Sequence, residues 1–260
     1  MKIRILFFLG LTGIFFLNLG AEETVYKAGK VLYKGWIQGR VTHSAANLDV
    51  PKLEVNYDQK ACGAEPRNIQ AVEIGVDGAL RNSVVYLKSV TNGKPFNLSG
   101  IPPTLSQDRC DFNPHVQVVP PKSSLKLINN DGLLHSVHAF HYEYGRTFVI
   151  YPNSITYPAN TLFNIAMVSS RRESFQQLNA PGIVKFICDA GHYWMTAYAV
   201  VMNHPYYVKV NDDGTYKLDD VPAGKYTLVC WHEYFGTKEQ TITVKENQPA
   251  QIDFVYSEEL

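Results

Sequence analysis

Between two apolar runs, "GIVKFI" and "AYAVVM", residues 188–195 read "CDAGHYWM". A thiol, an imidazole and a thioether therefore fall within eight residues, at Cys188, His192 and Met195. These are donors of graded softness. Thiolate and imidazole suit copper in both oxidation states, and a thioether suits Cu(I) as a weak axial donor. One more imidazole would complete a His₂Cys trigonal set. The segment "LKLINNDGLLHSVHAF", residues 125–140, offers it, because a strand-like run ends at Asn129, a turn follows, and a new run opens on His135. The candidate ligands are thus His135, Cys188, His192 and Met195, for one copper per chain.

Other readings compete for the same residues. The four cysteines, at positions 62, 110, 188 and 230, allow three full pairings in an oxidising compartment. Cys62 in "KACGAEP" and Cys110 in "QDRCDFNP" lie in polar, loop-like segments, as a structural disulfide would. Cys188 and Cys230 lie in apolar strand contexts and could be a second disulfide, two buried thiols, or a ligand and a bystander. The ligand reading of Cys188 is preferred because His192 and Met195 follow it; Cys230 then reads as a small buried hydrophobe. Met195 could instead be core, as Met167 and Met202 are expected to be. His135, His138 and His141 form H-x2-H-x2-H, a pattern that would suit zinc or a copper store. On a strand His135 and His138 face opposite sides, so these three should not converge, although one of the latter two could support the site. His204, His232 and Glu233 could meet as a second metal site, or form a polar cluster at a sheet end. His115, after Pro114, reads as structural or surface. Trp194 reads as either a docking patch or packing between domains. No Ser-His-Asp order, carboxylate pair or phosphate-binding glycine loop anchors hydrolase chemistry.

The elements that must position these residues are strands. "WIQGRVTH", "SVVYLKSV", "HVQVVP", "SLKLIN", "HSVHAFHY", "LFNIAMV", "IVKFICD" and "TAYAVVM" are rich in β-branched and aromatic residues and are bounded by Gly, Pro, Asn or Asp. The expected class is all-β, with 260 residues enough for one large sandwich or two small domains. The segment "SSRRESFQQL", 169–178, reads as a loop excursion that could form a short surface helix. Five strands fit in 204–257, with a tight hairpin at Asp213-Gly214 and a second turn at Pro222-Ala223-Gly224. The first residues carry Lys2 and Arg4, then an apolar run, then Gly20 and Ala21 before Glu22 and Glu23, the order of a secretory signal peptide over 1–21. An uncleaved anchor is the alternative. Without Lys2 and Arg4 the chain has 22 basic against 24 acidic residues, so no basic face for nucleic acid is implied.

Residues 110–202 resemble a cupredoxin of the plastocyanin, amicyanin and azurin type. "CDFNPHVQVVPPKSSLKLINNDG" is similar to that family's strand, polar turn, strand and N-x-D turn. "HSVHAF" is similar to its first-ligand strand, and "GIVKFICDAGHYWMTAYAVV" to its final hairpin. The D-G-x-(aromatic)-x-(aliphatic) hairpin followed by P-x-G-x-Y at 213–226 resembles the carboxypeptidase regulatory-like, or transthyretin-like, sandwich. "GWIQGRVTH" and "NSVVYLKSV" resemble that sandwich's first two strands. The resemblance implies a Greek-key cupredoxin sandwich over 96–203 and a smaller transthyretin-like sandwich over 22–95 and 204–260, interrupted by the metal-bearing segment; a simple tandem order is the alternative. It implies a periplasmic or secreted type 1 copper protein, with no membrane span after signal cleavage, carrying single electrons. Its partners would be redox proteins meeting a weak, transient face near His192 and Trp194. A copper-delivery module without redox turnover, and a structural envelope sandwich, are the rival functions; an enzyme is not expected, since four ligands leave no open position. Three departures stand out. Ser136 follows the first histidine where many relatives have Asn, Gly191 precedes the second where Pro is common, and 141–160 looks like an insertion that could cover the site or dock a partner.

Overall fold

Side chains alternate across a strand, so a strand buried on both faces must feed two different cores. The computed structural model, which describes residues 25–257 except 46, 47, 49, 69–71, 99, 144–159 and 169–171, is built on that principle. The expected leader 1–21 and most of the 141–160 insertion lie outside the described residues. Numbered in chain order, and leaving aside four two-residue strands, the strands are β1 (Lys34–His43), β2 (Val84–Leu87), β3 (Thr104–Asp108), β4 (Asp111–Asn113), β5 (Val116–Val119), β6 (Ser123–Asn129), β7 (His135–Tyr142), β8 (Thr161–Met167) and β9 (Arg172–Leu178). They continue as β10 (Gly182–Ile187), β11 (Thr196–Val201), β12 (Tyr207–Lys209), β13 (Thr215–Pro222), β14 (Gly224–His232), β15 (Gly236–Val244), β16 (Pro249–Gln251) and β17 (Phe254–Tyr256). A single turn of helix, α1 (Gln59–Cys62), lies between β1 and β2. The all-β class is what the strand-like runs implied.

Four sheets form two sandwiches. A four-stranded sheet, β9-β6-β3-β4, faces a five-stranded one, β8-β7-β10-β11-β5, in the cupredoxin-like sandwich. In the smaller, transthyretin-like sandwich, β12-β2-β14-β15 faces β13-β1-β16, with β17 also paired to β1. Strands β1 and β2 thus pair with strands from beyond residue 206, and the nine strands from β3 to β11 lie between them in sequence. Alternation along β11 shows how the sandwiches meet. Ala197, Ala199 and Val201 enter the larger core, while Tyr198 and Val200 join Val116, Ile183, Val84, Tyr86, Val229 and Trp231 in a buried layer between the two sandwiches. Tyr198 and Trp231 meet edge to face there, 5.6 Å between ring centres.

Two segments differ from the sequence reading. Residues 172–178, rich in good helix formers, are strand β9, paired antiparallel with β6 from Ser123↔Leu178 to Asn129↔Arg172. The open edge of β6 offers backbone partners along its whole length, and that outweighs a helix propensity worth only tenths of a kcal/mol per residue. Residues 204–257, where five strands were expected, hold six, because the last stretch is divided into β16 and β17, both parallel to β1. The break at Ile252–Asp253 is seated on Gly39, where an added Cβ would lie 1.6 Å from the Ile252 carbonyl oxygen, so only glycine admits this approach.

Candidate metal centre

Antiparallel pairing places the start of one strand beside the end of its neighbour. His135 opens β7, and Cys188 immediately follows β10, which pairs with β7 from His138↔Ile187 onward. The loop 188–195 then returns to β11 at the same end of the sheet. His135 Nδ1 and His192 Nδ1 lie 3.1 Å apart, and the Cys188 sulfur lies 3.8 Å from the first and 3.6 Å from the second. All three side chains are buried. The point equidistant from these atoms is about 2.0 Å from each, the length of an imidazole bond to a transition metal, and a small shift away from the sulfur or out of this plane reaches the ~2.3 Å of a thiolate bond. The donors therefore fit a single ion. Met195 is 1% exposed, shares the hydrophobic cluster that contains Cys188, and donates its amide to the His192 carbonyl at 3.0 Å, closing the loop.

The neighbourhood of the sulfur is polar in a defined way. The Ser136 amide points at Cys188 Sγ from 3.4 Å, and the Ser136 hydroxyl accepts the Asp189 amide at 2.7 Å. Ser136 therefore both braces the ligand loop and addresses the sulfur, through its backbone and its short side chain. Burial pushes the Cys188 thiol up, and the Ser136 and Ala190 amides pull it partly back. His192 is held below its ordinary value, by burial and then by the adjacent His135.

Upstream, Asn129 is fully buried and organises the turn before His135. Its amide nitrogen donates to the Leu133 and Met167 carbonyls at 2.9 and 2.8 Å, and its oxygen accepts the Asp131 amide at 2.9 Å. Asp131 in turn accepts the Arg109 and Cys110 amides at 2.8 and 2.9 Å, while its Oδ2 lies 2.8 Å from His135 Nε2.

The largest surprise is a strap, residues 50–68, which leaves the smaller sandwich between β1 and β2 and crosses onto the metal end of the larger one. It is fastened by a disulfide between Cys62 and Cys110 and by Arg67, whose guanidinium bonds the Cys62, Arg109 and Cys110 carbonyls and pairs with Asp111 at 2.6 Å. From the strap, Asp58 Oδ2 reaches His192 Nε2 at 3.1 Å. Tyr57 packs over Gly191 and meets Tyr193 edge to face. Consequently the face expected around His192 and Trp194 is not open: the two are 0% and 3% exposed, and Trp194 is held by its indole N–H to the Cys110 carbonyl at 2.8 Å beneath Arg67. Trp194 thus packs between the larger sandwich and the strap that comes from the smaller one. Gly191 is held beneath the strap as well. Its φ is +90°, and a Cβ there would stand 2.9–3.3 Å from the Tyr57 ring. Gly191→Ala should cost ~1–3 kcal/mol of stability through backbone strain, with a further loss if Tyr57 is pushed away; urea unfolding of the variant measures it, and an unchanged midpoint would sink the idea.

The remaining candidates do not converge. His138 turns to the opposite face and bonds Asp189 Oδ2 at 2.7 Å, which supports the ligand loop, and His141 bonds the Pro181 carbonyl at 2.9 Å. His204 bonds the Leu87 carbonyl at 2.9 Å, His232 accepts the Tyr234 and Phe235 amides, and Glu233 pairs with His115, so the supposed second metal site is dispersed. Neither Cys188 nor Cys230 is in a disulfide, and burial pushes the Cys230 thiol up to about 12. Sequence reasoning missed Asp58, Asp131, Arg67 and the His115–Glu233 pair. Asp131 had a signal in the N-x-D turn; the others had none.

No curated protein matches the chain. Solved structures similar to it include an amicyanin from Paracoccus versutus, at 12% identity over 45% of this chain and 97% of that one, with a TM-score of 0.30. A purple cupredoxin from Nitrosopumilus maritimus is 13% identical over 38% of this chain and 99% of its own, with a TM-score of 0.28. A copper-containing nitrite reductase from Thermus scotoductus is 18% identical over 40% of this chain, with a TM-score of 0.29, and the chain spans only 23% of its length. The assignment of the metal centre rests on its donor geometry and not on these partial likenesses. Residues 190–257, from within the ligand loop onward, match the family model of the carboxypeptidase regulatory-like domain.

Proposed function

We propose that this protein is a type 1 copper protein that carries single electrons, with the metal held by His135, Cys188 and His192 and by Met195 as the axial donor. The observation that carries the reading is the triangle of two Nδ1 atoms and one sulfur, with edges of 3.1, 3.6 and 3.8 Å, closed off from water. Copper there would supply a one-electron couple. The chain's own part is to keep the donors in place in both states: β7, β10 and β11 fix the ends of the loop, Asn129 fixes the turn, and Ser136 fixes the sulfur's surroundings. A delivery module needs an ion that exchanges with solvent, and the burial of every donor works against that. Four donors also leave no place for a substrate, which favours a carrier over an enzyme.

On this reading the unit that holds copper is 96–203, and 22–95 with 204–260 is an interrupted accessory sandwich; the sheet pairings of β1 and β2 support that division. The Cys62–Cys110 disulfide suits the periplasm or the exterior. Redox partners would dock weakly at the strap above His192, where Tyr57 and Tyr193 are half exposed. The test is a Cu(II) titration of residues 22–260 beside Cys188→Ser. An intense visible band that saturates at one copper per chain and disappears in the variant is expected. A colourless native protein overturns the proposal.

A further inference from the structure

Both ligand rings turn Nδ1 toward the sulfur, and each outer nitrogen, Nε2, faces a carboxylate. Asp131 lies 2.8 Å from His135, and Asp58 lies 3.1 Å from His192. The two carboxylates belong to one bracket. Asp131 accepts the Cys110 amide, Cys110 is bonded to Cys62, and Cys62 ends the turn of helix that Asp58 begins. The disulfide sulfurs themselves lie within 4.8 Å of a His192 ring nitrogen, and Cys110 Sγ lies within the same distance of Asp131 and His135. Asp58 comes from the strap of the smaller sandwich and Asp131 from the turn before β7, so two remote parts of the chain meet on the outer edges of the same pair of rings.

We propose that Asp58 and Asp131 are positioning residues of the metal centre, which fix the ligand tautomers and lower the reduction potential. An imidazole that donates Nε2–H to a carboxylate keeps its lone pair on Nδ1, aimed inward at the ion. Two negative charges behind the rings also favour the more positive oxidation state, and the strap thereby makes the smaller sandwich part of the redox centre. Asp131, at 12% side-chain exposure, should act more strongly than Asp58, at 53%, because water screens the latter. The effect on potential rests on the copper reading; the effect on tautomer does not.

Two measurements on the full chain test this with Asp131→Asn, Asp58→Asn and, as a control, Asp189→Asn, whose carboxylate is close to Cys188 but bonds His138. In the metal-free protein, imidazole nitrogen shifts should report Nε2–H for His135 and His192, with mixed tautomers at His135 in Asp131→Asn and at His192 in Asp58→Asn. In the copper-loaded protein, Asp131→Asn should favour Cu(I) by about tenfold, or 59 mV for one electron, with a smaller rise in Asp58→Asn and the smallest in Asp189→Asn. Native rings with mixed tautomers overturn the proposal. So do variant potentials equal to the native value, or a rise in Asp189→Asn as large as in Asp131→Asn, which would reduce the effect to net charge. If the native chain takes up no copper, the copper reading falls while the nitrogen shifts still decide the positioning.

Discussion

Replacing Cys62 and Cys110 together by alanine is expected to lower the unfolding free energy by about 4 kcal/mol. The two residues are 48 apart in sequence, and closing a loop of that length removes roughly this much free energy from the unfolded chain on the loop-entropy account. What the bond protects is local. The single turn of helix Gln59–Cys62 is too short to persist by itself, since nucleation is unfavourable and one turn gains few hydrogen bonds. The strap's other anchors are the buried side chain of Val55, the Arg67 contacts, the Asp58–His192 bond and the packing of Tyr57 over Gly191. Urea unfolding of the oxidised chain against the double variant, with the slope compared as well as the midpoint, measures the loss. A difference below about 1 kcal/mol would mean that the strap's non-covalent contacts hold it unaided and that the bond constrains little in the unfolded state.

Breaking the pair between His115 and Glu233 should cost a similar amount. His115 leads into β5 of the larger sandwich, and Glu233 follows β14 of the smaller; their exposures are 8% and 2%. Removing one partner of such a buried pair typically costs 3–5 kcal/mol, because the other charge is left uncompensated, so Glu233→Ala is expected to fall in about that range. The pair also braces the metal loop. His115 Nδ1 lies 2.9 Å from the carbonyl of Thr196, the residue after Met195, and the His115 carbonyl accepts the Tyr198 amide at 2.7 Å. A pH signature accompanies the loss. Burial works against the imidazolium, yet the Glu233 carboxylate, the hydrogen bond to it and the Thr196 carbonyl outweigh burial and raise the His115 pKa above its ordinary value. A raised pKa contributes stability fully present below the unfolded value of about 6.5 and lost as pH rises through the folded one. Native stability should therefore decline above that point, and Glu233→Ala should lack this part of the decline. An identical pH profile in both proteins would refute the pairing.

Much of this molecule follows from short stretches of sequence. The alternation in "TAYAVV" makes β11, and the same alternation divides its side chains between two cores. The donor types and the C-x3-H-x2-M spacing mark a candidate site for a soft metal, because a loop of eight residues between two antiparallel strands confines its side chains to one sheet end. The turn at Asn129 is likewise written locally, in a side chain that bonds its own backbone two residues on. The segment 169–178 reads as a loop excursion with a possible helix because composition is a local quantity, whereas the edge that β9 covers belongs to a strand some fifty residues earlier. The closure of the centre was illegible for the same reason. Asp58 reaches His192 across 134 positions and Glu233 reaches His115 across 118. The sequence by itself determined which atoms could bind a metal and which strands would carry them, through spacing and periodicity. Only the tertiary structure decided what lies behind those ligands, since ion pairs and crossings between remote segments depend on how whole sheets stack and leave no periodic trace in the chain.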